Sequence, residues 1–316
     1  MSSLRMLIAA TLACAACQAG AQAWPGRPLR WVVTFSAGGS ADVAARLIAP
    51  GLAERLGQPV IIDNRPGAAG NIGMEAVARA SPDGHTLLFG ITTLATAPHF
   101  YKLSFNPLTD LAPVTQMLSL QFVLIASTSL PAASVPELLA LARQSPGSVT
   151  CASVGGITQL GCALLRFQGG IALTDVTYKG TSQAMNDLIG GQVSIMMDAI
   201  SSATPQVRAG RVRAIATGNA TRRPPFSSLP TVAEALPGFE LVSWQGMMVP
   251  AGTPREVVTR LNRETAAALA QPDTRLRLSD LGLEVSVGTP EAFGELIRRD
   301  HEKYGKLIRE AGLKAD

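Results

Sequence analysis

From Trp24 onward, short β-branched runs alternate with segments of helical periodicity, and this alternation constrains the fold more than any other feature of the chain. Residues 29–35 read as a strand and 41–56 as a helix on which Ala44, Leu47, Ile48, Gly51 and Leu52 share a face. A strand at 60–62, a helix at 72–80 after a Pro-Gly turn, and a strand at 86–91 after Pro82-Asp83-Gly84 complete a βαβαβ series. That order is the pattern of a parallel sheet flanked by helices. A second series follows, with strands at 122–126, 149–153, 175–178, 193–198 and 212–217 alternating with helices at 135–143, 159–167, 182–189 and 204–209. Prolines 224, 225, 230 and 237 then interrupt it, so 221–239 reads as an irregular surface connection. Beyond it come a strand at 244–249, a helix at 254–269 with proline at its first position, and a long amphipathic helix at 290–311. No strand series follows these helices. The economical arrangement packs them back on the first series, so that the chain crosses twice between two lobes.

The 316 residues are 47% hydrophobic and 16% charged, enough apolar material for two cores and too little charge for general disorder. A mean hydropathy of +0.23 raises the question of a membrane span. The longest apolar run, 6–17, is about a dozen residues, short of the roughly 20 that a spanning helix needs. Arg5 before it and Ala21-Gln22-Ala23 after it make residues 1–23 an expected export signal, cleaved after Ala23, which places the mature chain in the periplasm. The alternative is a lipoprotein leader modified at Cys14 or Cys17, although neither has the usual leucine three residues upstream. Export leaves Cys151 and Cys162 in an oxidising compartment, where an even count suggests pairing. A strand-loop-helix hairpin can bring them together, closing a loop worth about 3 kcal/mol; otherwise they are two separate small core residues.

Enzyme signatures are missing: there is no G-x-S-x-G, no G-x-x-x-x-G-K-[ST], no G-x-G-x-x-G after a strand and no H-E-x-x-H. His85, His99 and His301 have no nucleophile near them in sequence, and with two cysteines at unrelated spacings they make no metal site. A net charge of +4 is no nucleic-acid footprint, and Arg208, Arg211, Arg213, Arg222 and Arg223 read as a solvated face. The loops say more. Phe35, Ser36, Ala37, Gly38, Gly39 and Ser40 join the first strand to the first helix, at the carboxyl end of a parallel strand, where such folds bind ligands. Glycines there admit a ligand close to the backbone, and the helix-start N–H groups suit a carboxylate; the alternative is a tight turn with Ser40 as N-cap. Ala69 and Gly70 lie in a similar loop, 65–73, and Thr92 and Thr93 end the third strand on the same rim. In the second series Ser153 and Thr158 bound a Gly-containing loop, Lys179 and Gly180 lie in another, and Asp198 ends an apolar strand. An acid there is costly unless paired or facing a polar cleft; the alternative is a helix cap near Ser201.

At these residues the chain resembles the Bug-type extracytoplasmic solute receptors of tripartite tricarboxylate transporters. Residues 35–42 are similar to the family's F-x-P-G-G-x-x-D, 64–73 to its N-R-P-G-A-G-G-x-I-G, and 80–88 to its A-x-P-D-G-Y-T-L-L. Tyr178-Lys179-Gly180, Asp187-Leu188, Gly190-Gly191, Asp198, Leu229-Pro230-Thr231, Trp244 and the run 250–254 fit its later motifs, so the likeness covers nearly the whole chain beyond residue 23. It implies an α/β fold, a two-lobed periplasmic binding protein of the Venus flytrap type. Each lobe would be a mostly parallel sheet flanked by helices, with lobe 1 formed by 24–122 plus 243–316 and lobe 2 by 123–242. It further implies a monomer that needs no cofactor, holds a small carboxylate solute in the cleft and passes it to integral-membrane permease subunits. The residues carried over as ligand-binding are Phe35, Ser36, Ala37, Gly38, Gly39, Ser40, Ala69, Gly70, Thr92, Thr93, Ser153, Thr158, Lys179, Gly180 and Asp198. The chain departs from the family at Ala37, where a proline is usual, at Ala69, a glycine, and at Gly161, a histidine, with Cys162 in place of a leucine. A sensor presenting its ligand to a signalling partner, and more remotely a periplasmic enzyme acting on a small acid, are the other functions that this sequence accommodates.

Overall fold

The computed structural model describes residues 24–313 apart from Gly155 and Pro225, so the expected export signal, with Cys14 and Cys17, lies outside the described residues. β1 (Leu29–Val33), α1 (Ser40–Leu56), β2 (Val60–Asn64), α2 (Asn71–Ala78) and β3 (Thr86–Ile91) follow the expected order. β1 lies between β2 and β3 and parallel to both. Trp31 and Val33 on one face of β1 and Val32 on the other are all fully buried, as in a strand with helices on both sides. α3 (Thr93–Phe100) forms where no helix was expected, because Pro98 inside it hides the periodicity and removes a helical hydrogen bond.

β4 (Leu111–Ser127) joins the two halves of the molecule. Only its final residues were expected as strand, because Pro113, Thr115 and Gln116 interrupt the apolar pattern; the register shifts beside them. At about 3.3 Å per residue it is long enough, roughly 55 Å, to serve two lobes. Its residues 111–121 pair antiparallel with β9 (Val242–Pro250), which also pairs antiparallel with β3. Its last residues pair antiparallel with β7 (Ile195–Ala199) and β8 (Val212–Thr217).

The second lobe is built from α4 (Val135–Gln144), β5 (Thr150–Ser153), α5 (Gly156–Gly169), β6 (Thr174–Thr177) and α6 (Thr181–Ile189), then β7, α7 (Ile200–Arg208) and β8. β5 is parallel to β6 and β7, so each lobe has a parallel set of three strands extended by antiparallel crossing strands. α7 starts four residues before the expected position, directly after β7, burying Ile200 and Ala203. After β9 come α8 (Arg255–Leu269), α9 (Pro272–Asp280), β10 (Leu283–Val285) and α10 (Pro290–Glu310). α9 and β10 were not expected: α9 buries only Thr274 and Leu278, and β10 is three residues pairing with β4.

Four clusters of buried side chains cover the two faces of each lobe. α10 belongs to both lobes. Phe293 and Ile297 pack in the first, beside Trp244 and Met248, whereas Tyr304, Leu307 and Ile308 pack in the second. The three- and four-residue spacing of those positions makes one apolar stripe, and 21 residues of helix span about 30 Å, enough to bridge the lobes. The expectation that the last helices return to the first lobe thus holds for α8 and for the beginning of α10, whose end packs on the second lobe. Gly246 on β9 permits the close contact: a Cβ there would overlap the Phe293 ring.

Candidate functional site

Strand direction brings the expected loops together. β9 is antiparallel to both β3 and β4, so β3 and β4 run the same way, and β3 ends at Ile91 opposite Gln245. β7 runs against β4 and ends at Ala199 opposite Phe122. The carboxyl edges of the two parallel sets therefore face each other across the middle of β4, the arrangement that makes a ligand crevice in open α/β sheets.

In the first lobe, Ser36 to Ser40 are exposed and Phe35 is half-buried. The N-cap of α1 is Gly39, without a side-chain cap, so Ser40 does not cap the helix. Asp42 organises the loop instead. Its buried carboxylate accepts the Gly38 N–H at 2.8 Å, the Arg46 Nε at 3.0 Å and the Asn64 Nδ2 at 3.0 Å, and Asn64 also donates to the Phe35 carbonyl at 3.1 Å. The Arg46 guanidinium, helped by Gly38 and Asn64 and opposed by burial, holds the Asp42 carboxyl down from the ordinary 3.8 to about 2. Asp42 and Asn64 were absent from the expected site; their signal was the end of one motif and the start of the next.

Ala69 is exposed and Gly70 buried in a 3-10 turn over Ala68–Gly70. Ala69 has φ 55° and Ala68 φ 48°, left-handed conformations that cost an L-residue about 1–2 kcal/mol. Ala69→Gly is therefore expected to stabilise the protein by about 0.5–1 kcal/mol after the entropy of the unfolded glycine is counted. Equilibrium urea unfolding measures this, and an unchanged or lower midpoint would show that the turn carries no such strain. Thr92 is buried, and its hydroxyl accepts the Trp244 N–H at 3.0 Å and meets the Ser243 Oγ at 3.0 Å, tying β3 to β9 instead of standing free. Thr93 begins α3.

In the second lobe, Ser153 is buried and its hydroxyl has no hydrogen-bond partner among the described residues. Thr158 Oγ1 accepts the Val154 N–H at 3.0 Å, bracing the loop from within. Lys179 is exposed and Gly180 is the N-cap of α6. Beside them the Tyr178 hydroxyl donates to Asp187 at 2.8 Å, and burial, then Asp187, push its pKa up to about 12. Asp198 is buried and accepts the Ser202 hydroxyl at 2.6 Å; burial raises its pKa, while Ser202 and the Ala199 N–H pull the other way. The N-cap of α7 is Ala199, with no side-chain cap, so Asp198 does not act as the helix cap.

Cys151 in β5 and Cys162 in α5 are joined by a disulfide with Cα atoms 6.0 Å apart. One residue earlier, a Cβ on Gly161 would come within 2.7 Å of Leu241 and 3.0 Å of Met197. α5 thus seats closely on Leu241 and β7 at Gly161, and a larger side chain there requires Leu241 and Met197 to shift. Among the described residues no group of His, Cys, Asp and Glu side chains is placed to hold a metal, and no helix is long and apolar enough to cross a membrane. A cavity of about 430 Å³ lies elsewhere, under α10, and shares no lining residue with these loops. Strand direction, and not cavity size, determines where a parallel sheet presents the backbone donors of its loops.

Comparison with known proteins agrees with this geometry. The sequence profile of TctC, the tripartite tricarboxylate transporter family receptor, matches residues 44–313. The UPF0065 protein in the tcbD-tcbE intergenic region of Pseudomonas sp. (strain P51) is 40% identical over 299 residues, which cover 93% of this chain and 89% of that protein. The R. palustris protein Rpa4515, solved with adipate, superposes with a TM-score of 0.74 at 35% identity, covering 92% of this chain and 98% of that one. A TctC solute binding protein from Polaromonas, solved with no ligand, superposes with a TM-score of 0.84 at 26% identity, covering 91% and 99%. Motifs, two-lobed α/β fold and relatives agree: the chain belongs to the TctC family of tripartite tricarboxylate transporter receptors.

Proposed function

We propose that this protein is an extracytoplasmic receptor that captures a small carboxylate-bearing solute between its lobes and delivers it, as a monomer, to a membrane permease. The observation that carries this reading is the apposition of the two carboxyl edges across β4, each bearing loops of glycine, small and hydroxyl residues. Lobe 1 would comprise 24–122 plus 243–316 and lobe 2 123–242, with the last turns of α10 seated on lobe 2. The ligand carboxylate would meet the 36–40 loop and the start of α1. The helix dipole contributes only about 0.3–2 kcal/mol, so most of the affinity has to come from several donors held ready. Asp42 supports that role by fixing the loop before a ligand arrives. Asp198, buried at the opposite edge, would accept from a hydroxyl or ammonium on the same solute.

The ligand-free Polaromonas relative superposes better than the adipate-bound one despite its lower identity. This supports an interlobe arrangement that depends on ligand, with the closed state favoured in proportion to differential affinity. A thermal-shift screen against mono-, di- and tricarboxylates and amino acids tests the assignment. At 100 times its dissociation constant, a true ligand adds about 2.7 kcal/mol, a rise in Tm on the order of 5 °C. Absence of a shift with every carboxylate would overturn the carboxylate assignment.

A further inference from the structure

The inner face of α10 does not pack dry against the crossing strands at mid-length. Glu295, Leu296, Arg299, Asp300 and Lys303, at three- and four-residue spacing, roof the cavity of about 430 Å³. In its floor Ser119 on β4 pairs in register with Trp244 on β9 and Glu284 on β10, so the three side chains stand on one face beneath the helix. A helix on a sheet ordinarily closes to crystalline packing density through apolar side chains; here the floor is polar and the gap remains.

Two groups in that gap lack partners that a ligand can provide. Ser119 is 6% exposed, and among the described residues its hydroxyl has no hydrogen-bond partner. Asp300 is 4% exposed and its carboxylate, which has room for about four hydrogen bonds, receives one from a side chain, the Trp244 Nε1 at 2.8 Å. The surrounding cations are directed elsewhere: Lys303 donates to the Glu240 carbonyl, Arg223 pairs with Glu284 at 3.7 Å, and Arg299 is exposed. Burial raises the pKa of Asp300 despite Lys303 and Arg299, and it lowers that of Lys303. The lining holds one more acid than base, with Glu240, Glu284, Glu295 and Asp300 against Arg223, Arg299 and Lys303.

We propose that this cavity is a second binding site, separate from the interlobe cleft, for a small organic cation carrying a primary ammonium or guanidinium group. The cationic group donates to the Asp300 carboxylate and the Ser119 hydroxyl, and its alkyl portion lies along Leu296. Because Asn219, Thr221 and Arg223 enter the lining from the connection after β8, while Trp244 and the roof come from β9 and α10, the occupant contacts both sides of the crossing. Its binding is therefore coupled to the angle between the lobes, and by linkage to occupancy of the cleft.

Isothermal titration of the chain from residue 24 onward with butylamine, putrescine and butylguanidinium, and with butyrate as the size-matched anion, tests this. Saturable binding of at least one cation and none of butyrate is expected. Asp300→Asn, which keeps an acceptor for Trp244, weakens that binding about tenfold or more. Ser119→Leu, which fills the floor without touching a charge, abolishes it, and circular dichroism confirms that each variant is folded. If Asp300→Asn does not fold, Ser119→Leu alone decides the result. No cation binding up to about 10 mM, binding of butyrate in place of the cations, or cation affinity unchanged in the folded variants would each overturn the proposal.

Discussion

Asp42→Ala is expected to destabilise the protein by about 2–3 kcal/mol and to weaken solute binding about tenfold or more. The carboxylate is 4% exposed and collects a backbone N–H, an amide and a guanidinium, so its removal leaves the Gly38 N–H and the Asn64 amide without their acceptor. Arg46 adds little to the total, because its side chain is 53% exposed and water replaces its partner. Asp42→Asn retains an acceptor for Gly38 and should lose roughly half as much. The pKa adds an independent reading. A carboxyl depressed from 3.8 to about 2 on folding contributes stability that is fully present above about pH 4 and is lost as pH falls through 2. Discounted for the exposure of Arg46, this amounts to about 1–2 kcal/mol. Acid unfolding of Asp42→Ala should therefore be less steep than that of the parent between pH 4 and 2. Parallel acid profiles, or parent-like urea stability, would show that Asp42 does not brace the loop.

Removing the Cys151–Cys162 bond is expected to cost about 3 kcal/mol, from the loop-closure entropy returned to the unfolded chain by a bridge of sequence separation 11. Both sulfurs lie in the second-lobe core, so Cys→Ala at both positions isolates the cross-link from the burial of new hydroxyls. The expected fall in Tm is on the order of 5 °C. A reductant should lower the parent to the level of the double variant and leave the variant unmoved; identical melting of parent and variant would contradict the role assigned to the bond. Affinity should also fall, because α5 carries Thr158 and its position on β7 depends on contact at Gly161.

The first lobe was more legible than the second or the hinge. β1 and α1 could be read because their apolar positions repeat within a dozen residues and face neighbours close in sequence. α3 was hidden by Pro98, and α9 by its charge, since only two of its residues touch the core. The site loops were legible as glycine-rich punctuation, but side-chain direction was not. Thr92 resembled a free hydroxyl at a strand end, yet β9 arrives beside it and takes that hydroxyl to satisfy its own backbone. Asp42 and Asn64 illustrate the reverse case, with one function shared by motif ends on separate elements.

Local patterning by itself determined the alternation of strands and helices, the glycine-rich loops between them and the placement of two cysteines at hairpin distance. These follow from steric and hydrophobic preferences that act over one or two turns of chain. Only the tertiary structure decided that β4 runs through both lobes, that α10 is shared between them and that a polar cavity remains beneath it. Those outcomes depend on register between segments distant in sequence, such as Ser119 opposite Trp244, and register is chosen by the packing of whole sheet faces.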